Sequence, residues 1–122
     1  ILFIRGEESL SRAALSGIPF VWHAYPQSDE YQLVKVNALL EKLRPFFSES
    51  GFEIIKKVWI DFNSPDSELD KVQTQQNVLE FLKNVENLKD GFEKFGQNLR
   101  KNGDLAFNLM TFIKQIVIIE DN

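Results

Sequence analysis

The chain has 122 residues, a formal net charge of −4, 43% hydrophobic residues and no cysteine. That length suffices for one compact domain with a core and not for two, and the charge gives no broad pull toward nucleic acid. The lack of cysteine removes disulfides and thiolate metal sites and fits a cytoplasmic location, and no apolar run nears the roughly 20 residues needed to span a bilayer.

The sequence opens on Ile1-Leu2-Phe3-Ile4, an unbroken apolar run with β-branched ends that predicts a fully buried strand of a parallel sheet. A strand at residue 1, without an initiator methionine, reads as one whose neighbours are missing, so the chain is expected to be a fragment of something larger. Arg5-Gly6 ends the run. Glu8–Ser16 then reads as a short amphipathic helix carrying Leu10, Ala13 and Ala14, with Gly17 at its C-terminal stop. Pro19 leads into Phe20-Val21-Trp22, a second strand, and His23–Gln27 is expected as a loop held by Pro26. Strand, turn, helix and strand make a minimal βαβ unit. Its two strands end on one edge of the sheet, where open α/β sheets bind ligands. The turn Arg5–Ser9 and the loop His23–Gln27 are therefore expected side by side.

The rest of the chain is predicted to be helical. Ser28 is a candidate N-cap with Asp29 and Glu30 in the first turn, and Leu33, Val36, Leu39, Leu40 and Leu43 recur at helical spacing as far as Pro45. A short amphipathic piece over Phe52–Phe62 leads to Ser64-Pro65, an N-cap followed by proline at the first helical position. Leu69, Val72, Leu79 and Leu82 mark the helix expected next. Leu88, Phe92, Phe95 and Leu99 form a further stripe, expected to be core. Asn102-Gly103 breaks the chain before a last helix marked by Leu105, Leu109, Phe112, Ile113 and Ile116.

Chemistry concentrates at Arg5-Gly6-Glu7-Glu8-Ser9. Gly6 allows a tight turn and close approach of a ligand to the main chain. The helix that follows aims unpaired N–H groups at the same spot, and Arg5 adds a planar fork suited to phosphate oxygens. Ser9 can cap the helix or donate a hydrogen bond. Glu7, repelled by phosphate, suits sugar hydroxyls. An ordinary helix start, with Arg5 paired to one of the glutamates, explains the same five residues. His23 is the sole histidine, which excludes a histidine pair on a metal, and a hydrogen-bonded structural role is expected for it. Asp61, Asp66, Asp70 and Asp104 are expected at caps or on solvated helix faces. These residues describe a binding site without a catalytic centre. A non-enzymatic helical interaction module, or another nucleotide-binding enzyme with a similar turn, accounts for them too.

Taken together, Arg5-Gly6-Glu7-Glu8-Ser9, Arg12-Ala13-Ala14 and Pro19-Phe20-Val21-Trp22-His23-Ala24-Tyr25-Pro26-Gln27 resemble the EarP family of bacterial protein-arginine rhamnosyltransferases. A weaker likeness returns at Gly103-Asp104-Leu105-Ala106 with Asn108-Leu109. The resemblance implies an α/β fold, the C-terminal part of a GT-B (Rossmann-like) domain: a βαβ unit with the donor-site turn over residues 1–27 and a mainly helical remainder over 28–122. It implies inverting transfer of rhamnose from dTDP-β-L-rhamnose to an arginine of elongation factor P, with neither cofactor nor metal. Arg5 would contact the diphosphate and steady the leaving group, Glu7 would support activity, and Ser9 would belong to the same nucleotide-binding turn. Glu8, in that substrate-binding set, stands where the family usually has Asp and is longer by one methylene. The family's general base lies in an N-terminal domain missing from this chain, and its thymine-binding residues lie upstream of residue 1. The chain alone is therefore expected to be inactive, with the donor, elongation factor P and that missing domain as partners, and no nucleic acid or membrane.

Overall fold

The computed structural model describes residues 1–6, 9–25, 31–65 and 69–102. Strand β1 (Leu2–Arg5) and strand β2 (Phe20–His23) pair in parallel, with Leu2 opposite Phe20, Phe3 opposite Val21, Ile4 opposite Trp22 and Arg5 opposite His23. Between them runs helix α1 (Leu10–Ser16), which buries Leu10, Ala13 and Ala14. Gly17 ends α1 at φ 73°, a left-handed conformation that a side chain disfavours. The predicted βαβ unit is present.

Two of its details differ from expectation. The fully buried run is β2, whose Phe20, Val21 and Trp22 are all buried; β1 alternates, with Phe3 56% exposed. Among the described residues β1 has one strand neighbour, so only one of its faces meets the core. His23, expected in the loop, is the last residue of β2, because its carbonyl accepts from the Gly6 amide at 3.0 Å and extends the ladder.

Helix α2 (Tyr31–Leu43) buries Val36, Leu39, Leu40 and Leu43 and passes into a single 3₁₀ turn, Arg44–Phe46, at Pro45. Helix α3 (Glu49–Asn63) is longer than the predicted Phe52–Phe62 piece; Ser48 caps it, accepting from the Gly51 amide at 3.1 Å. Ser64 does not start the following helix. It ends α3, its hydroxyl donating back to the Ile60 carbonyl at 2.7 Å. Helix α4 (Lys71–Lys83) begins instead behind Asp70, which accepts from the Val72 and Gln73 amides. Helix α5 (Val85–Lys101) buries Leu88, Phe92, Phe95 and Leu99 as predicted. The N-cap expected at Ser28, with Asp29 and Glu30, and the last helix, from Leu105 to Ile116, lie outside the described residues.

Phe20 sits at the centre of the core, its ring 5.4 Å from both Trp59 of α3 and Phe92 of α5. Burial of such rings, with their edge and tilted contacts, dominates the apolar contribution to stability. Helix α5 packs on α1, where Arg100 donates to the Leu15 carbonyl at 2.5 Å. Helix α3 lies along β2 and covers its outer edge: Trp59 Nε1 donates to the Phe20 carbonyl at 3.2 Å, and Asn63 bonds Trp22 and Ala24. Side chains of α3 thus occupy the place of a third strand and cover an edge that would otherwise expose polar backbone. No helix among the described residues is long and apolar enough to cross a membrane.

Candidate functional site

The site grows from the carboxyl ends of the two strands. Parallel register sets Arg5 opposite His23, and residues opposite one another in a sheet project to the same face. Gly6 then reverses the chain at φ 72°. Its amide donates to the His23 carbonyl at 3.0 Å, and its carbonyl accepts from the Trp22 indole Nε1 at 2.5 Å. Both polar groups of Gly6 are therefore held by β2. The close approach that glycine permits here is to Tyr25: a Cβ at residue 6 would overlap the Tyr25 ring. The main chain at Gly6 is covered by an aromatic side chain, where the sequence suggested open access for a ligand.

The same ring faces Arg5, whose guanidinium carbon lies 5.7 Å from the Tyr25 centroid, within range of a cation–π attraction. Tyr25 is 58% exposed, so it stands over the turn as a wall with its outer side in solvent. Beside them Phe3, Ile4, Arg5, Val21, His23 and Phe62 line a shallow hollow of about 140 Å³. Phe3 and Phe62 close one side of it, with ring centroids 5.8 Å apart. A drug-sized ligand needs roughly 300–1,000 Å³, so the hollow by itself is too small to enclose one.

Among the described residues lining the hollow, Arg5 and His23 are the titratable groups. Partial burial of His23, and secondarily the Arg5 cation, hold its imidazole pKa below the usual 6.5. At neutral pH the described lining of the hollow thus presents the Arg5 cation beside a neutral imidazole. Arg5 offers five donors and no acceptor, which suits oxyanions. No group of three or more potential metal ligands occurs among the described residues.

Of the four site residues predicted from sequence, Arg5 takes the expected place at the strand end. Ser9 is the N-cap residue of α1, but its hydroxyl makes no capping bond; its backbone is helical there, at φ −90° and ψ −9°, which turns the side chain away from the first amides. Glu7 and Glu8 lie outside the described residues, as do Pro26 and Gln27. Helix α1 starts at Leu10 rather than Glu8 and has seven residues, so its dipole is small. Tyr25 belongs to the loop that the sequence set beside the turn, and its contacts with Gly6 and Arg5 realise that adjacency, but nothing in the sequence singled out its ring as the cover of Gly6. Asn63 had a signal: a polar residue four positions after Trp59 on the buried side of an amphipathic helix.

Residues 1–114 match the family model described as Elongation-Factor P (EF-P) rhamnosyltransferase EarP. The chain belongs to this family. Similar proteins include three named protein-arginine rhamnosyltransferase. That of Neisseria meningitidis serogroup B is 36% identical over 64 residues, 52% of this chain and 17% of the relative. That of Shewanella oneidensis is 33% identical over 75 residues, 49% of this chain and 19% of the relative. The Pseudomonas aeruginosa protein is 34% identical over 61 residues, 50% of this chain and 16% of the relative. The matched stretches thus span less than a fifth of each EarP relative.

Proposed function

We propose that this chain is the C-terminal part of a GT-B glycosyltransferase that moves rhamnose from dTDP-β-L-rhamnose to an arginine of elongation factor P, inverting the anomeric centre. Residues Arg5, Glu7, Glu8 and Ser9 form the diphosphate side of the donor site, in a cytoplasmic enzyme that needs no cofactor or metal. One observation carries the reading: the parallel pairing puts Arg5, braced by Tyr25 and beside a neutral His23, at the carboxyl edge of the sheet.

Glycosyl transfer breaks the bond between the sugar anomeric carbon and the diphosphate oxygen, leaving charge on the nucleoside diphosphate. A guanidinium already in place stabilises that charge as it develops, without reorganisation at the moment of reaction. Charge-assisted hydrogen bonds from Arg5 supply this, and Glu7 and Ser9 orient the donor. Removing a proton from the acceptor guanidinium needs a base that the family resemblance places in a separate N-terminal domain.

The test is the intact mass of elongation factor P after incubation with dTDP-rhamnose and the full-length chain. A gain of one deoxyhexose on arginine is expected, with none from the isolated 122-residue chain. Arg5→Ala should lower kcat/KM by about 1.5–3 kcal/mol, the scale of a hydrogen bond to a charged group. Activity of the isolated chain would refute the division of labour between the two domains. Unchanged kinetics in Arg5→Ala would remove Arg5 from the donor site.

A further inference from the structure

We infer that Asn63 is a positioning residue of the donor-site turn; the inference rests on the donor-site reading above. Asn63 is the last residue of α3 and is 4% exposed. Its Oδ1 accepts from the Ala24 amide at 2.8 Å, while Nδ2 donates to the Trp22 carbonyl at 2.8 Å and to the Trp59 carbonyl at 2.7 Å. One carboxamide therefore grips β2 on both sides of His23. It does so on the outer edge, since the Pro19 and His23 carbonyls face β1 and accept from Leu2 and Gly6.

The side chain imitates the peptide group of a missing strand, accepting from one residue and donating two positions earlier. Few side chains can do this. An ionised aspartate has no donor, and a glutamine carries the amide one methylene further. An aliphatic residue leaves a buried amide and a buried carbonyl unpaired.

The residues so held are those that shape the turn. Trp22 donates its indole N–H to the Gly6 carbonyl, His23 accepts the Gly6 amide, and Tyr25, next after Ala24, covers Gly6 and faces Arg5. Among the described residues the Asn63 side chain makes its hydrogen bonds to Trp22, Ala24 and Trp59, and none to Gly6, Arg5 or Tyr25. It acts through β2, fixing where the Arg5 guanidinium meets a diphosphate. An asparagine that served stability alone would leave the contribution of Arg5 to binding unchanged.

A double-mutant cycle in the full-length chain separates the two, read as equilibrium binding of dTDP. Phe81→Leu in α4, away from the turn, serves as the control of comparable thermal destabilisation. Arg5→Ala is expected to weaken dTDP binding by about tenfold or more. Asn63→Asp should weaken it by a similar factor, and the double variant should be no more than about twofold weaker than Arg5→Ala, because coupled residues are not additive. Phe81→Leu should leave binding unchanged. Where Asn63→Asp does not fold, Asn63→Ser removes the amide donors without adding a charge and enters the same cycle. Additive losses, or a loss matched by Phe81→Leu, would overturn the positioning role and leave the donor site standing. Binding untouched by Arg5→Ala would instead remove the reading on which the role depends.

Discussion

At the scale of single residues, the turn after β1 shows how far residue type predicts chemistry. Arg5 and Gly6 announce a strand-to-helix turn, and the structure puts Arg5 at the strand end and Gly6 at φ 72°. The contact of Tyr25 with Gly6 and Arg5 bears out the expected adjacency of turn and loop, while the choice of this ring as the covering group was not legible in residue type alone. His23 gives a pH dependence with a definite sign. Burial and Arg5 lower its folded pKa below 6.5, so between the folded pKa and 6.5 the unfolded chain binds more protons. Stability is then complete above pH 6.5 and is lost as pH falls through the folded pKa. Urea midpoints at pH 7.5 and pH 5.5 should differ less in His23→Gln than in the parent. An identical difference in both would assign the acid sensitivity to other groups. On the proposed donor site, bound dTDP should act in the opposite direction and raise the His23 pKa, since a diphosphate placed at Arg5 would favour the imidazolium.

At the scale of elements, local signals placed α1 and α5 well and misplaced the start of α4. Ser64-Pro65 fits a helix start by pattern, yet Ser64 closes α3 and Asp70 opens α4. Ser64 has the extended backbone of an N-cap, at φ −95° and ψ 152°, but Pro65, Leu69 and Asp70 are not helical, and spacing along the chain does not decide that. Nor are the apolar residues that mark α4 the ones it buries. Val72, Leu79 and Leu82 are 64%, 55% and 46% exposed, while Asn77 and Phe81 are buried. Asn77 turns that side toward α3 by donating to Asp61 at 2.9 Å, so Asp61 is neither a cap nor wholly solvated as expected. Substitutions should follow contacts rather than hydrophobicity. In the full-length chain, Phe81→Ala should cost about 3–5 kcal/mol, Asp70→Ala about 1 kcal/mol and Leu79→Lys less than about 0.5 kcal/mol, read from urea unfolding. A Leu79→Lys cost comparable to that of Phe81→Ala would mean that another surface covers α4.

At the scale of the whole molecule, the two strands have unequal surroundings. Helix α3 covers the outer edge of β2 with Trp59 and Asn63, whereas β1 pairs only with β2 among the described residues and leaves Phe3 56% exposed and Ile1 43% exposed. An open parallel edge beside exposed apolar side chains is a template for further pairing. The isolated chain should therefore self-associate with concentration in sedimentation velocity, and Phe3→Lys should reduce this. A monomer at all concentrations would show that two strands with their helices suffice as a closed unit.

The sequence by itself determined the βαβ order, the helices of the described remainder as far as Lys101, the Phe92–Phe95 stripe, the arginine at the turn and the family. These are properties of spacing and residue type, which local backbone geometry converts directly into structure. Tertiary structure alone decided that α3 edges β2, that Tyr25 walls the turn, that Asn63 substitutes for a strand and that β1 is half exposed. Each depends on a hydrogen bond or contact between residues distant in sequence, and such pairings are set by the packing of whole elements, which no single stretch of chain encodes.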